Sequence, residues 1–246
     1  MLSRIFGANK TAEVKPPLAP VAPPLPPGQD EDHVFVPLPN EEEQLPAAAI
    51  PLPGEGLSVA VSMGHGERIR GAKGILDEVV ENRAVVMGVV DCLKKFGAKA
   101  VEFYDETSTT VAQNISAIVT WHKKQEADID VAIHFNAFNG QAHGTEVIVK
   151  SDGNQDLANR VAVAMSMAGP FRLRPAQGDP IKAKLPGVAL RDNLGFLNGL
   201  RARPSILIEV CFVDNANDAE NYRKNKNEIH EAIAFALVEW WKGKGD

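Results

Sequence analysis

From Leu57 onward, apolar runs of strand length alternate with segments of helical periodicity, and this alternation limits the chain to few architectures. The strand candidates are "LSVAVSM", "AKAVEFYD", "IDVAIHF", "GTEVIVK" and "RPSILIEVCFVDN". Between the first two, the stretch from Ile75 to Phe96 places Val79, Val86, Val90 and Leu93 on one helical face, and Gly97 supplies its stop. Thr107 to Gln125 and Asn154 to Ala168 read as further helices, the latter ended by Gly169-Pro170, and a last helix runs from about Asn227 to Trp241. The turn-rich "NAFNGQAH" separates the third and fourth strands, and a long polar loop precedes the fifth. Strands alternating with helices argue for an α/β fold, a three-layer sandwich whose mostly parallel central sheet is flanked by helices.

The first 53 residues read differently. They hold twelve of the seventeen prolines, in text such as "VKPPLAPVAPPLPPG", with acidic clusters at Asp30 to Asp32 and Glu41 to Glu43. Proline lacks the backbone donor that helices and sheets use, and this composition buries too little to offset chain entropy. Residues 1–53 are therefore expected to form a disordered, extended tether, and residues 54–246 the folded domain. A protein that recognises proline-rich segments is a candidate partner for the arm.

The formal net charge of −6 and pI near 5.6 provide no basic footprint for nucleic acid. No apolar run has the length of a membrane span, which argues against insertion. The start "MLSRIFGANK" lacks the apolar core of a secretory signal, so synthesis and retention in the cytoplasm are expected unless another protein opens the membrane. Cys92 and Cys211 each lie in apolar text and read as buried thiols, not a disulfide framework.

In an open α/β sheet, ligands gather at the carboxyl ends of strands. Three polar groups fall there: His65 just after the first run, His134 at the end of "VAIHF", and Glu209 near the end of "ILIEV". A lone histidine near a strand end is more often structural than a ligand. A glutamate within "SILIEVCF" is harder to dismiss, because a buried unpaired carboxylate costs several kcal/mol or titrates far from its usual range. Arg191 or Arg201 could pair with it. Two histidines and a carboxylate with an open fourth position form a usual protein set for catalytic zinc, and such chemistry needs one further group to move a proton. Of the acidic pair that opens the first helical pattern, Glu78 and Glu81, the residues themselves single out neither.

Six blocks in order resemble zinc-dependent N-acetylmuramoyl-L-alanine amidases of the Amidase_3 type, especially those of phage endolysins. They are "SMGHG", "GAKGILDEVVEN", "VAIHFNAF", "AHGTEVIV", "LRDNLGFLNGLRARPSILIEVCFVDNANDAE" and a closing amphipathic helix. The resemblance implies one Zn2+ per chain, held by His65, Glu78 and His134, with Glu209 as the catalytic glutamate. It chooses Glu78 because the family places that glutamate four residues before an asparagine, here Asn82; Glu81 then reads as a solvated charge. His143, which the family text includes, is expected to line the substrate cleft or else to cap a strand; Asn136 is a substrate-side candidate that would orient His134 or its loop, and Arg191 one that would meet the substrate's peptide carboxylates or pair with a local acid. His33, His122 and His230 receive no role and read as tether or helix-surface residues. Many relatives carry Asp before the Gly-His and a second Gly after it, where this chain reads "SMGHGE".

The function implied is hydrolysis of the amide between N-acetylmuramic acid and L-alanine in peptidoglycan, as in phage lysis of a bacterial cell. Such a protein would work at the wall after release from the host cytoplasm, or travel with a virion. The alternatives are a zinc carboxypeptidase of the wall stem peptide, or a wall-binding or virion component that shares the fold without catalysis.

Overall fold

The computed structural model describes residues 51–178, 182 and 185–244, all within the compact unit Ala49–Asp246. The proline-rich arm up to residue 50, with its expected disorder and His33, lies outside the described residues. The elements run β1 (Ser58–Met63), α1 (Glu78–Lys95), β2 (Lys99–Phe103), α2 (Val111–Gln125), β3 (Ile129–Asn136) and β4 (Glu146–Val149). They continue with α3 (Gln155–Ala168), β5 (Val188–Leu190), α4 (Gly195–Gly199), β6 (Ser205–Phe212), α5 (Ala216–Lys224) and α6 (Lys226–Lys242).

The six strands form one sheet in the order β2-β1-β3-β6-β4-β5. All neighbouring pairs are parallel except β4 and β6, so the β4–β5 pair runs against the other four strands. Helices cover both faces. One core joins Val59, Val61, Met63, Val131, Ile133, Ile206, Ile208 and Val210 to α1, α3 and α6. A smaller core joins Ala132, Ile148, Ala189 and Leu207 to α2 and α4. Alternate residues of one strand thus enter opposite cores, as the period of two requires. This is the expected three-layer sandwich.

The expected boundaries shift for local reasons. α1 begins at Glu78 and not at Ile75, because Ile75 and Leu76 both donate their N–H groups to the Val213 carbonyl, at 2.8 and 3.1 Å. α2 begins at Val111 and not at Thr107. Asp105 Oδ1 accepts the N–H groups of Thr107 and Ser108, folding them into a turn, and Thr110 then caps the helix in a reciprocal box with Gln113. The segment read as one long polar loop contains β5 and α4, and α5 precedes the last helix with Asn215 as its cap. These elements have three, five and nine residues, too short to show a period.

Two histidines assigned to helix surfaces are buried instead. His122 is fully covered: its Nδ1 pairs with Asp130 Oδ1 at 2.8 Å and its Nε2 with Ser62 Oγ at 2.9 Å. Arg203 closes this network, donating Nε to Asp130 and Nη2 to the His122 carbonyl. His230 packs between α6 and α1 against Gly88, where a Cβ would overlap its ring. Cys211 is buried and Cys92 partly so, both as free thiols.

Candidate metal centre

Backbone pairing places the first histidine. The Gly64 N–H donates to the Ile133 carbonyl at 2.8 Å, carrying the β1–β3 ladder one residue past Met63, so His65 emerges beside the end of β3. There His134 shares a face with Asp130 and Ala132, towards α2. Its imidazole lies over the backbone of Gly64, and a side chain at 64 would occupy the same space. Gly71 makes a similar gap for Glu78 and His65. Glycine fits there because it presents no Cβ to the approaching side chains.

Glu78 is the first residue of α1 and is buried. Its Oε2 accepts the Ala72 N–H at 2.7 Å and its Oε1 the Phe135 N–H at 3.1 Å. The same Oε1 stands 3.3 Å from His134 Nδ1 and 3.5 Å from His65 Nε2. The two imidazoles meet edge to face, with centroids 5.0 Å apart. One ligand atom from each of the three residues lies within 4.8 Å of the others, the sole group of its kind among the described residues.

The donor chemistry fits a metal. Nitrogen and oxygen ligands 2.0–2.2 Å from a tetrahedral ion stand about 3.4 Å apart, which matches both contacts to Glu78 Oε1. Burial pushes the Glu78 carboxyl up, but the hydrogen bond and charge of His134, with His65 and the Phe135 N–H, outweigh it and hold the group below its usual value. Burial, reinforced by His134, lowers His65. Burial also acts to lower His134, but Glu78 and Glu209 overcome it and raise that group. The Glu78 carboxyl is thereby held in its ionised form, the form that ligates a metal.

Glu81, expected to be solvated, instead accepts hydrogen bonds from Tyr222 Oη at 3.1 Å and Lys226 Nζ at 2.6 Å, tying α1 to α5 and α6. Three residues on from Glu78, it stands about 60° away round the helix axis, and its partners lie on α5 and α6 and not in the cluster.

Across the sheet, His134, Glu209 and Glu146 stand in one row: His134 pairs in register with Glu209, and Glu209 with Glu146. Glu209 Oε2 has no hydrogen-bond partner among the described residues. Loss of water around Glu209 pushes its carboxyl up to about 8; the charges of Glu78 and Glu146 add to this, and His134 and Arg174 oppose it. Neither Arg191 nor Arg201 pairs with it. Arg191 donates to Gln177 Oε1 and to the Leu190 carbonyl, and Arg201 to Asn198.

The row includes residues that the sequence reading missed. Glu146 accepts hydrogen bonds from Asn136 Nδ2 at 2.9 Å and Gln177 Nε2 at 2.7 Å, and pairs with Arg174 Nε at 3.1 Å. The test that singled out Glu209, an acid inside an apolar strand, applies equally to Glu146 in "GTEVIV". Asn136 acts on Glu146 and on its own loop, where its Oδ1 accepts the Ala137 N–H; it makes no hydrogen bond to His134. His143 is exposed, with Nδ1 at 3.0 Å from the Gln141 carbonyl. Beside His65 and His134, an apolar cleft of about 120 Å3 opens between α2 and α4, lined by Ile115, Ile118, Phe196 and Leu207 among others.

Comparison with known proteins places this geometry. The chain is 27% identical over 206 residues to an uncharacterised cell wall amidase of Bacillus anthracis, a match covering 78% of this chain but 36% of that protein. It thus spans about a third of that relative's length. It is 27% identical over 197 residues to the uncharacterised protein YqiI of Bacillus subtilis, covering 78% of this chain and 87% of the relative. The fold is shared with the catalytic domain of the CD27L endolysin targeting Clostridia difficile: TM-score 0.63, 22% identity, 74% of this chain and 97% of that one. It is shared also with the catalytic domain of CwlV, an amidase from Bacillus (Paenibacillus) polymyxa: TM-score 0.60, 22% identity, 76% and 98% covered. The family profile described as N-acetylmuramoyl-L-alanine amidase matches residues 59–239, from β1 into α6 and around the whole cluster, so the chain belongs to the N-acetylmuramoyl-L-alanine amidase family.

Proposed function

We propose that this domain hydrolyses the amide joining the lactyl group of N-acetylmuramic acid to L-alanine in peptidoglycan, using one zinc ion held by His65, Glu78 and His134. The observation that carries the reading is the row of Glu209 beside His134, with an unpartnered carboxylate oxygen next to a three-residue ligand cluster, inside a match to this family. When bound, the ion supplies Lewis acidity, polarising the amide carbonyl and making water more acidic.

The chain's own groups do the rest. The N–H groups of Ala72 and Phe135 fix both oxygens of Glu78, so Oε1 is aimed between the two imidazoles. Glu209 accepts a proton from the attacking water at Oε2 and delivers it to the alanine nitrogen as the C–N bond breaks. Asn136 acts through Glu146, Arg191 acts through Gln177, and His143 meets the substrate further out. The substrate locates the work at the cell wall. Among the described residues, no helix is long and apolar enough to cross a membrane.

The test is release of peptide from purified peptidoglycan, with muropeptides identified by mass spectrometry. The wild type with zinc should free whole stem peptides and leave the glycan intact; shortened peptides would indicate a carboxypeptidase instead. Glu209→Gln should keep one zinc per chain and lose at least a hundredfold in rate, in line with the 10²–10⁴-fold range for general acid–base catalysis. Undiminished release by this variant would remove Glu209 from the mechanism.

A further inference from the structure

Beyond Glu146, the row meets an extended segment that was invisible in the polar loop. Thr145 donates its N–H to the Arg172 carbonyl at 2.9 Å, and Arg174 donates its own to the Thr145 carbonyl at 3.2 Å, with a parallel bridge between Thr145 and Leu173. In such a segment alternate residues share a side: Leu173 packs against the main core, while Arg172 and Arg174 line the opposite side. With His143 and Gln141 they surround a cleft of about 290 Å3. Arg174 is positioned by stacking on the Phe212 ring, 5.0 Å from its centroid, and by its Nε contact with Glu146. Arg172 makes no side-chain hydrogen bond or ion pair among the described residues, and no terminal nitrogen of Arg174 makes one either. Glu146, the acid that Arg174 meets, is also met by Asn136 and Gln177, and Arg172 has no acidic partner among the described residues.

We propose that this cleft binds a carboxylate of the stem peptide on the leaving side of the scissile amide. The inference rests on the amidase reading above and adds a preference among its substrates. Direction follows from the row: with the amide carbonyl at the His65–Glu78–His134 cluster and its nitrogen at Glu209, the peptide continues over β4 towards Glu146 and Arg174. Neighbouring strands stand about 4.8 Å apart, and each residue advances the chain by at most about 3.6 Å. A free carboxylate on the residue after alanine therefore comes within reach of the two guanidinium groups. Arginine suits the task, because its planar fork matches a carboxylate with two parallel hydrogen bonds.

The test uses two muramoyl-L-alanyl dipeptides that differ only in the second residue, one with a free α-carboxylate and one with that group amidated. The wild type should prefer the acid by about tenfold or more in kcat/KM, the range of a charge-assisted contact. Arg172→Gln, at an exposed position, should bring the ratio towards one, as should Arg174→Gln, and Arg174→Lys should retain part of it. Equal rates on both substrates, or a ratio unchanged in both glutamine variants, would overturn the proposal. Calorimetric titration with the free dipeptides reads the cleft without turnover. Should neither substrate be cleaved, the amidase reading falls, yet tighter binding of the acid that is lost in Arg172→Gln still supports the cleft; indifference to the amide refutes it.

Discussion

A methyl group at residue 64 would occupy the space of the His134 imidazole. Gly64→Ala is accordingly expected to weaken zinc binding by about 10–100-fold, the usual effect of disturbing what orients a ligand, and a competing chromophoric chelator will report it. The acidic pair gives a second contrast at the same scale. Glu78→Ala should abolish stoichiometric zinc. Glu81→Ala should leave zinc in place and lower stability by about 1 kcal/mol, through loss of its hydrogen bonds to Tyr222 and Lys226. His65, His134 and Glu209 stood out in the text because each is a polar residue at the end of an apolar run. Arg174 carried no such mark, since nothing in a polar loop tells which arginine will face a strand end.

Among the elements, α2 is fixed to the sheet by a polar network as much as by apolar contact. His122 links Ser62 on β1 to Asp130 on β3, with Arg203 behind. His122→Ala should cost about 3 kcal/mol by leaving buried partners unsatisfied, seen as a lower urea midpoint at an unchanged slope, with zinc still bound. The α1–α6 contact carries a pH dependence. Burial, with the Lys226 charge and against Glu81, holds the His230 imidazole down to about 4. An unfolded histidine takes up its proton near 6.5, so between these values the unfolded state binds more protons and stability falls as pH drops. The contribution is complete above pH 6.5 and amounts to about 3 kcal/mol, lost progressively towards pH 4. Denaturation midpoints of His230→Leu across this range should show a shallower acid decline. The helix pattern placed both histidines on helices correctly. Which face each presents depends on what the sheet and α1 bring opposite, and that is not a local property.

For the whole molecule, the three residues of the cluster arise from the loop after β1, the start of α1 and the end of β3, so an ion bound there would tie separate parts of the fold together. A ligand at a thousandfold excess over its dissociation constant stabilises by about 4 kcal/mol. Removing zinc with a chelator should therefore lower Tm by roughly 10 °C for a domain of this size and stop peptide release, both restored by added zinc. The sequence by itself determined the layered α/β class, because strand and helix periods are local, and it marked His65, His134 and Glu209 as polar groups at the ends of apolar runs, whereas Glu78 is preferred to Glu81 only through the family resemblance. The tertiary structure decided what lies across from what. Short β5, α4 and α5, the reversed β4–β5 pair, the row from His134 through Glu209 to Glu146, and the arginine cleft all depend on strand order and register. Those are set by the packing of residues far apart in the chain, which no single stretch of sequence records.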